Sequence, residues 1–532
     1  MTWGWPWGWE ADVKPQLVDI GLGPFLAAVV GLGIVLALGM ALSAAPGPLL
    51  FSVGGLAAFG LVYRLKNPSR PHLGGSTFAG IRTLDKEGWL DSAGWPMGLL
   101  RVGAGLWRRI PVFMPQRWQE MHTLIVAPPG AGKTELMIAI INSYAYTKAQ
   151  HSLMLMDPGG GLYARCAPRL AAAGFAVERI HTSSPEKSTL SCDPLAGIPA
   201  PDHPEFMSRC VLVTETLLAA TRSAVGTDGE SYWYQQALNV IVLLIAVRKL
   251  IYPGTTLPDA VATFAAYGIE GVLAGASKFA SRTDIKLRIL LIDELKVNEK
   301  ARAGVLGTVM QHFAILTDVR VVQTLGGVEH QKGIKPVWTL AATLDRPTAV
   351  FVETNNMTDI TMPIVSLITT TMMQAATDSV GTKGERLRRP LRFLIDELGN
   401  LPGKGIYDLP RYIAMHRSYG IGYVLSVQAR SQIFAQYPES EATALIQSCG
   451  TVIMLGGASD ADAKWYSENR MGKKYTWGES ISAKGEHSYH RQVDPLLMAD
   501  DIRRARFMSF IDGVGMDALK VDLTLDKEET HD

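Results

Sequence analysis

The sequence has almost no net charge: 51 lysines and arginines face 50 aspartates and glutamates over 532 residues. A chain so balanced carries no global basic field, so any contact with nucleic acid has to be local. It is also poor in cysteine. The four, Cys166, Cys192, Cys210 and Cys449, are scattered, with neither metal-ligand spacing nor a paired framework, which excludes a recognisable zinc site and a disulfide scaffold. They read as ordinary small residues in a reducing compartment. No internal repeat is visible. The length leaves room for two or three domains.

One absence is local. From Ile20 to Tyr63 no residue is charged, with Asp19 and Arg64 bracketing the run. It divides at Pro46-Gly47-Pro48 into a first part, Ile20 to Ala45, long enough to cross a hydrocarbon core, and a shorter one, Leu49 to Tyr63. Gly31, Gly33, Gly39, Gly54 and Gly55 suit close helix packing in lipid. Trp3, Trp5, Trp7 and Trp9 precede the spans and suit an interfacial aromatic belt. Arg64, Lys66, Arg70 and Arg82 follow them, which puts that side in the cytoplasm by the positive-inside rule. Two spans then return the N-terminus to the cytoplasm as well. A cleaved signal peptide fits poorly, because the apolar run starts late and is too long; a buried helical hairpin in a soluble domain is the alternative.

What is present is centred on residues 123–135, Thr-Leu-Ile-Val-Ala-Pro-Pro-Gly-Ala-Gly-Lys-Thr-Glu. A short apolar run enters a tight small-residue loop and then a helix-compatible run, the context a phosphate-binding P-loop requires. The expected nucleotide contacts are Ala127, Pro128, Pro129, Gly130, Ala131, Gly132, Lys133, Thr134 and Glu135. Gly130 and Gly132 let backbone N–H groups approach a polyphosphate, and the helix N-terminus adds a positive dipole end. Lys133 reaches the β- and γ-phosphates, and the Thr134 hydroxyl ligates Mg²⁺. ATP and Mg²⁺ are therefore the expected ligands. Ala127 stands where glycine is usual.

Downstream, Ser152–Asp157 and Gly174–His181 read as strands separated by helical text, which indicates a parallel α/β sheet. From about Ala200 to Lys335 apolar residues recur at helical spacing over Phe206–Ala220, Tyr232–Leu250, Leu257–Ala265 and Ile285–Phe313, predicting an inserted all-helical segment. Trp233, within it, reads as core. Two Asp-Glu-Leu triplets compete for the second half of an ATPase site. Asp293-Glu294 falls inside a run with helical periodicity and no turn. Asp396-Glu397 follows the apolar Leu391–Ile395 and precedes Gly399-Asn400-Leu401-Pro402, so it ends a strand, where nucleotide binds in open α/β sheets. Asp396 is expected to hold Mg²⁺ and Glu397 to polarise the attacking water. Thr348–Glu353, Ile421–Gln428 and Thr451–Gly456 are further strand candidates. Gln428 either senses the γ-phosphate or a positioned water, or is a surface glutamine. The basic residues of the 64–117 region, among them Arg101, Arg108, Arg109 and Arg117, face anionic lipid or nucleic acid, or simply solvent.

In this order, the membrane hairpin, P-loop, helical insertion, Asp-Glu-Leu-Gly-Asn-Leu-Pro and the strand ending in Gln428 resemble the type IV secretion coupling proteins, the conjugative DNA-pump ATPases. Further matches are Met156-Asp157-Pro158, Cys192-Asp193-Pro194-Leu195, Tyr232-Trp233 through Ala237, and Arg417-Ser-Tyr-Gly420. The departure is Gly159-Gly160-Gly161, where the family's Lys and Glu are missing. The resemblance implies a RecA-like P-loop NTPase domain with an inserted all-α subdomain, preceded by a two-helix transmembrane anchor. It also implies a homo-hexamer at the bacterial inner membrane that passes relaxase-bound single-stranded DNA, or protein substrates, to other type IV secretion channel components. A neighbour's arginine would face the γ-phosphate, Arg417 first and Arg411 second. The expected division is 1–66 anchor, 67–117 linker and start of the cytoplasmic body, 118–199 with 336–520 nucleotide-binding domain, 200–335 all-α domain and 521–532 acidic disordered tail. The chain ends soon after the motor, so an extended C-terminal recruitment domain is not expected. Two rivals are a septal double-stranded DNA pump, for which more spans and a long linker are expected, and a non-catalytic membrane receptor with a degenerate P-loop.

Overall fold

The computed structural model describes residue 78 and residues 81–102, 108–146, 150–221, 231–326, 335–355, 360–380, 385–402, 405–481, 487–513 and 516–523. The expected membrane hairpin and its tryptophans lie outside the described residues. The described chain divides into two compact units, one of them Ser76–Lys473 with Pro495–Asp532.

In that unit the chain enters through an antiparallel pair, β1 (Trp95–Val102) and β2 (Arg108–Met114). The apolar runs then become parallel strands: β3 (Thr123–Val126), β4 (Ser152–Asp157), β5 (Ala176–His181), β6 (Thr348–Glu353), β7 (Leu391–Ile395), β8 (Ile421–Val427) and β9 (Thr451–Leu455). After the hairpin β10 (Lys473–Ile481) and β11 (His487–Pro495), the chain closes with β12 (Met508–Gly513) and β13 (Met516–Asp522). The main sheet has 11 strands in the order β2-β1-β13-β12-β9-β3-β8-β7-β4-β6-β5. Strands β3, β4, β6, β7, β8 and β9 are buried along their whole length, which is why they read as continuous apolar runs rather than alternating ones. Alternate residues serve opposite faces: Leu124 and Val126 pack into one core, Ile125 and Ala127 into the other.

Between β3 and β5 lie α1 (Lys133–Tyr146) and α2 (Leu162–Ala172). The insertion between β5 and β6 is helical: α3 (Phe206–Thr221), α4 (Ser231–Ile251), α5 (Leu257–Ser277), α6 (Thr283–Leu291) and α7 (Glu299–Phe313), and α8 (Met362–Ser379) follows β6. Helix α5 runs past the expected end at Ala265. Thr256 and Asp259 form its capping box, and Gly268, at φ 60°, kinks it rather than ending it. Helices α4 and α5 are long and apolar enough to cross a membrane, but their buried positions, among them Leu243, Ile245, Ala260 and Phe264, belong to one core with the sheet. Phe264 meets Phe313 edge-on at 5.4 Å. Trp233 lies against Gly304, where an added Cβ would sit 2.7 Å from the ring.

The expected single helix from Ile285 to Phe313 is corrected. Helix α6 ends at Leu291, Asp293–Lys296 form a 3₁₀ turn, and Asn298 caps α7 by accepting the Ala301 N–H at 3.0 Å. Asp293 and Glu294 thus sit in a turn of the helical insertion. The 67–117 region, expected as linker and start of the cytoplasmic body, contains β1 and β2, anchored by Trp95, Met97, Val112 and Met114. The expected disordered tail begins too early: Val521 and Asp522 complete β13 and Leu523 is buried.

The other unit, as described, is the β10–β11 hairpin. Its Arg491 guanidinium lies 3.6 Å from the centre of the Tyr475 ring, and the Thr476 hydroxyl donates to Asp494.

Candidate active site

Strand β3 runs straight into the phosphate loop. The Ala127 N–H still donates to the Val427 carbonyl at 3.0 Å, so the loop leaves the sheet one residue beyond the strand. Gly130 (φ 76°) and Gly132 (φ 93°) then take left-handed conformations. A Cβ at Gly130 would meet nothing, so glycine serves the turn and the approach of a ligand there rather than the packing. Helix α1 begins at Lys133, and its first N–H groups have no acceptor one turn back. The cleft over this loop has a volume of about 420 Å³ and is lined by Ala127, Pro128, Pro129, Gly130, Gly132, Lys133, Thr134, Glu135, Glu397 and Gln428.

The Lys133 side chain is buried, and a buried ammonium needs partners. It has two: Glu397 Oε1, in direct contact, and Asp396 Oδ1 at 3.4 Å. Both carboxylates stand at the end of β7. The Asp396 N–H donates to the Met156 carbonyl at 2.9 Å, which continues the sheet by one residue. Glu397 then adopts φ 54°, uncommon for a residue with a side chain. Its N–H donates to Asp396 Oδ1 and to Ser426 Oγ, both at 3.0 Å, and these bonds hold the bend. The Ser426 hydroxyl in turn donates to Asp396 Oδ1 at 2.5 Å. The far oxygen of Glu397, Oε2, accepts from Asn400 Nδ2 at 2.8 Å and from Gln428 Nε2 at 3.0 Å.

The structure therefore brings Lys133, Glu397, Asp396 and Gln428 together, with Thr134 on the same cleft. Gln428 is no isolated surface side chain. Ala131 is half-buried and packs against one of the two cores. The Glu135 carboxylate is committed to Arg165 by two bonds, at 2.6 and 2.7 Å, and ties α1 to α2. Arg417 is exposed in the 3₁₀ turn between α9 (Leu409–His416) and the start of β8. Gln428 follows the other end of that strand, about 20 Å away at the rise of a strand, so Arg417 cannot serve the site of its own chain. Arg411 is also exposed and pairs with Asp408 at 3.4 Å. Of the rival pair, Asp293 bonds Lys296 at 2.5 Å, and Glu294 accepts from Tyr232 at 2.9 Å and Asn298 at 3.1 Å.

Sequence reading overlooked Ser426, Asn400 and Asp157. Ser426 is the inward neighbour, two residues before Gln428 on the same strand candidate. Asn400 stood in the quoted Asp-Glu-Leu-Gly-Asn segment without a role. Asp157 ends β4, next to Asp396 on the adjacent strand. Burial pushes its carboxyl up to about 6, against the pull of the Leu162 N–H at 2.8 Å, and the Asp396 charge adds to the rise.

The arrangement fits a nucleotide triphosphate with a divalent cation. Its donors are one buried ammonium and a helix N-terminus, its acceptors are the Asp396 and Glu397 carboxylates, and Thr134 offers a hydroxyl. Lys133 already rests on the two carboxylates that such a ligand would separate it from.

Strand order adds the class. Strand β8 lies between the P-loop strand β3 and the carboxylate strand β7, and Gln428 reaches the cleft from its end. Fold and loop define a RecA-like P-loop domain with an all-α insertion. Residues 390–506 match the family described as the TraM recognition site of TraD and TraG. The chain is similar to the type IV secretion coupling proteins in its ordered motifs, in this matched segment and in its fold. Among solved structures, it resembles the bacterial conjugative coupling protein TrwB in its ΔN70 form, with TM-score 0.57 and 15% identity over 86% of this chain and 94% of that one. The same protein in complex with ADP and Mg²⁺ gives TM-score 0.56 and 16% identity over 86% and 95%. No curated protein sequence matches the chain.

Proposed function

We propose that this chain is the coupling ATPase of a type IV secretion or conjugation system. In this reading it hydrolyses ATP to drive a relaxase-bound single DNA strand, or protein substrates, into the secretion channel. The observation that carries the reading is the Glu397 carboxylate, held on one oxygen by Lys133 and on the other by Asn400 and Gln428 at the mouth of the P-loop cleft. The match of residues 390–506 and the TrwB-like fold support the system to which it is assigned.

Mechanistically, Lys133 leaves the carboxylates for the β- and γ-phosphates when nucleotide enters. That frees Glu397 Oε1 to take a proton from the attacking water. Gln428, fixed on Oε2, orients the carboxylate and the water. Asp396 and Thr134 would hold Mg²⁺, which would supply positive charge against the phosphates. Ser426 keeps Asp396 in place. Arg417 of an adjacent copy completes the site, because the chain's own Arg417 stands at the wrong end of β8. This requires a neighbouring copy packed head-to-tail against the cleft, and a homo-hexamer is the assembly proposed.

Residues 1–66 are proposed as a two-span inner-membrane anchor with its N-terminus in the cytoplasm, and 200–335 as the insertion in a nucleotide-binding domain of 118–199 and 336–520. The test is ATP turnover by the full-length chain with and without single-stranded DNA. Stimulation by the strand supports a DNA-coupled motor. Turnover that ignores DNA but responds to a secreted protein moves the cargo to protein, and no turnover under either condition overturns the proposal.

A further inference from the structure

Glu397 is held by more than its direct neighbours. Helix α10 (Arg430–Gln436) begins just beyond Gln428, and its Gln432 lies outside the cleft lining. Gln432 Oε1 accepts from the Gln428 N–H at 2.8 Å and from the Ala429 N–H at 3.4 Å. Its Nε2 donates to Asn400 Oδ1 at 3.1 Å, and Asn400 Nδ2 donates to Glu397 Oε2 at 2.8 Å. The donors therefore run in one direction, from backbone through two amides to the carboxylate.

That direction is forced. Backbone N–H groups only donate, so Gln432 must turn its oxygen to them and its NH₂ to Asn400. A carboxylate only accepts, so Asn400 must turn its NH₂ to Glu397. Neither amide can flip without setting two acceptors or two donors face to face. The same side chain fixes the backbone from which the Gln428 amide reaches Glu397 Oε2. Space is shaped around it as well: a Cβ on Gly399 would lie 2.4–2.6 Å from Gln432 atoms, including its Cβ.

We infer that Gln432 is a positioning residue for the hydrolytic reaction: it orients Asn400 and Gln428 together, and through them the Glu397 carboxylate. The inference rests on the proposed ATPase function. A chain of polarised hydrogen bonds fixes the orientation of its last member more tightly than a single contact does. Gln432 lies outside the residues that line the cleft, so its removal is expected to act on the chemical step rather than on ground-state binding.

The alternative is that Gln432 merely caps α10. Gln432→Glu separates the two roles. A carboxylate still accepts the Gln428 and Ala429 N–H groups and suits a helix N-terminus, so the cap survives. It cannot donate to Asn400, so the relay breaks. For the full-length chain, the expected result for Gln432→Glu is kcat lowered by about tenfold or more, with KM for ATP within about threefold of the parent and the thermal midpoint unchanged. Gln432→Ala loses the cap as well, and is expected to lower the midpoint in addition to kcat. A Gln432→Glu variant with kcat within about twofold of the parent overturns the inference, as does a loss confined to KM. Glu397→Gln, measured beside it, tells the two failures apart. If that variant stops turnover while Gln432→Glu does not, the ATPase reading stands and the positioning role falls; if it turns over like the parent, the role of Glu397 and the positioning role fall together, whereas a parent without turnover overturns the ATPase reading itself.

Discussion

Asp157 offers a quantitative test of how the carboxylates are packed at the ends of β4 and β7. Its side chain is 4% exposed. Burial first, and the Asp396 and Glu353 charges after it, push its carboxyl from 3.8 up to about 6. In the unfolded chain the group titrates at its ordinary value, so the folded state holds the proton more tightly. Stability from this group is then fully present below about pH 4 and is lost as the pH rises to about 6, beyond which it no longer changes. A rise of about two units corresponds to about 3 kcal/mol, an upper bound because the site can relax around the charge. Asp157→Asn removes the titration while its Oδ1 still accepts the Leu162 N–H. The new NH₂ needs a partner and costs about 1–3 kcal/mol without one, so the slope is the readout and not the absolute level. Denaturant midpoints of the full-length parent and variant, taken from pH 4 to pH 7 at fixed ionic strength, measure it. The parent should lose up to about 3 kcal/mol more than the variant over that range. The slope that remains in the variant belongs partly to Asp193, whose carboxyl burial also pushes up to about 6. Parallel slopes for parent and variant would refute the reasoning.

Mixing Arg417→Ala subunits with Lys133→Ala subunits should restore part of the hydrolysis that each lacks alone, because one interface can then hold an intact pair; no recovery in demonstrably mixed assemblies rejects Arg417 as the residue acting in trans. Deleting residues 1–63 should release the remaining chain from membranes, largely as monomer with weak ATPase activity. Full membrane retention of the shortened chain counts against the anchor.

The P-loop cleft was legible in the sequence because its parts are local: a strand, a small-residue loop and a Gly-Lys-Thr helix start need only short-range order. Choosing Asp396-Glu397 over Asp293-Glu294 was also possible, since Gly399 and Pro402 end a strand. The reason for rejecting Asp293-Glu294 was wrong in detail. Helical periodicity continues through Lys296, but Asn298 restarts the helix, and a turn of this length leaves the apolar spacing almost undisturbed. Strands β1 and β2 were hidden in text rich in glycine, proline and arginine. Their partners, β13 and through it β12, come from the other end of the chain, and no local pattern reports such pairing. Ser426, Asn400 and Gln432 escaped for a related reason. Each is an ordinary polar residue until the sheet sets β7 beside β8 and folds α10 back over the turn after Glu397.

The most direct test of the central claim compares Glu397→Gln with Glu294→Gln in the full-length chain, measuring Mg²⁺-ATP binding and turnover for both. Losing a general base costs about 10²–10⁴-fold in rate. Glu397→Gln should therefore retain nucleotide and nearly stop hydrolysis, while Glu294→Gln, in an exposed turn of the helical insertion, stays within about threefold of the parent. Turnover abolished by Glu294→Gln and untouched by Glu397→Gln would contradict both the active site and the fold-based reasoning that located it.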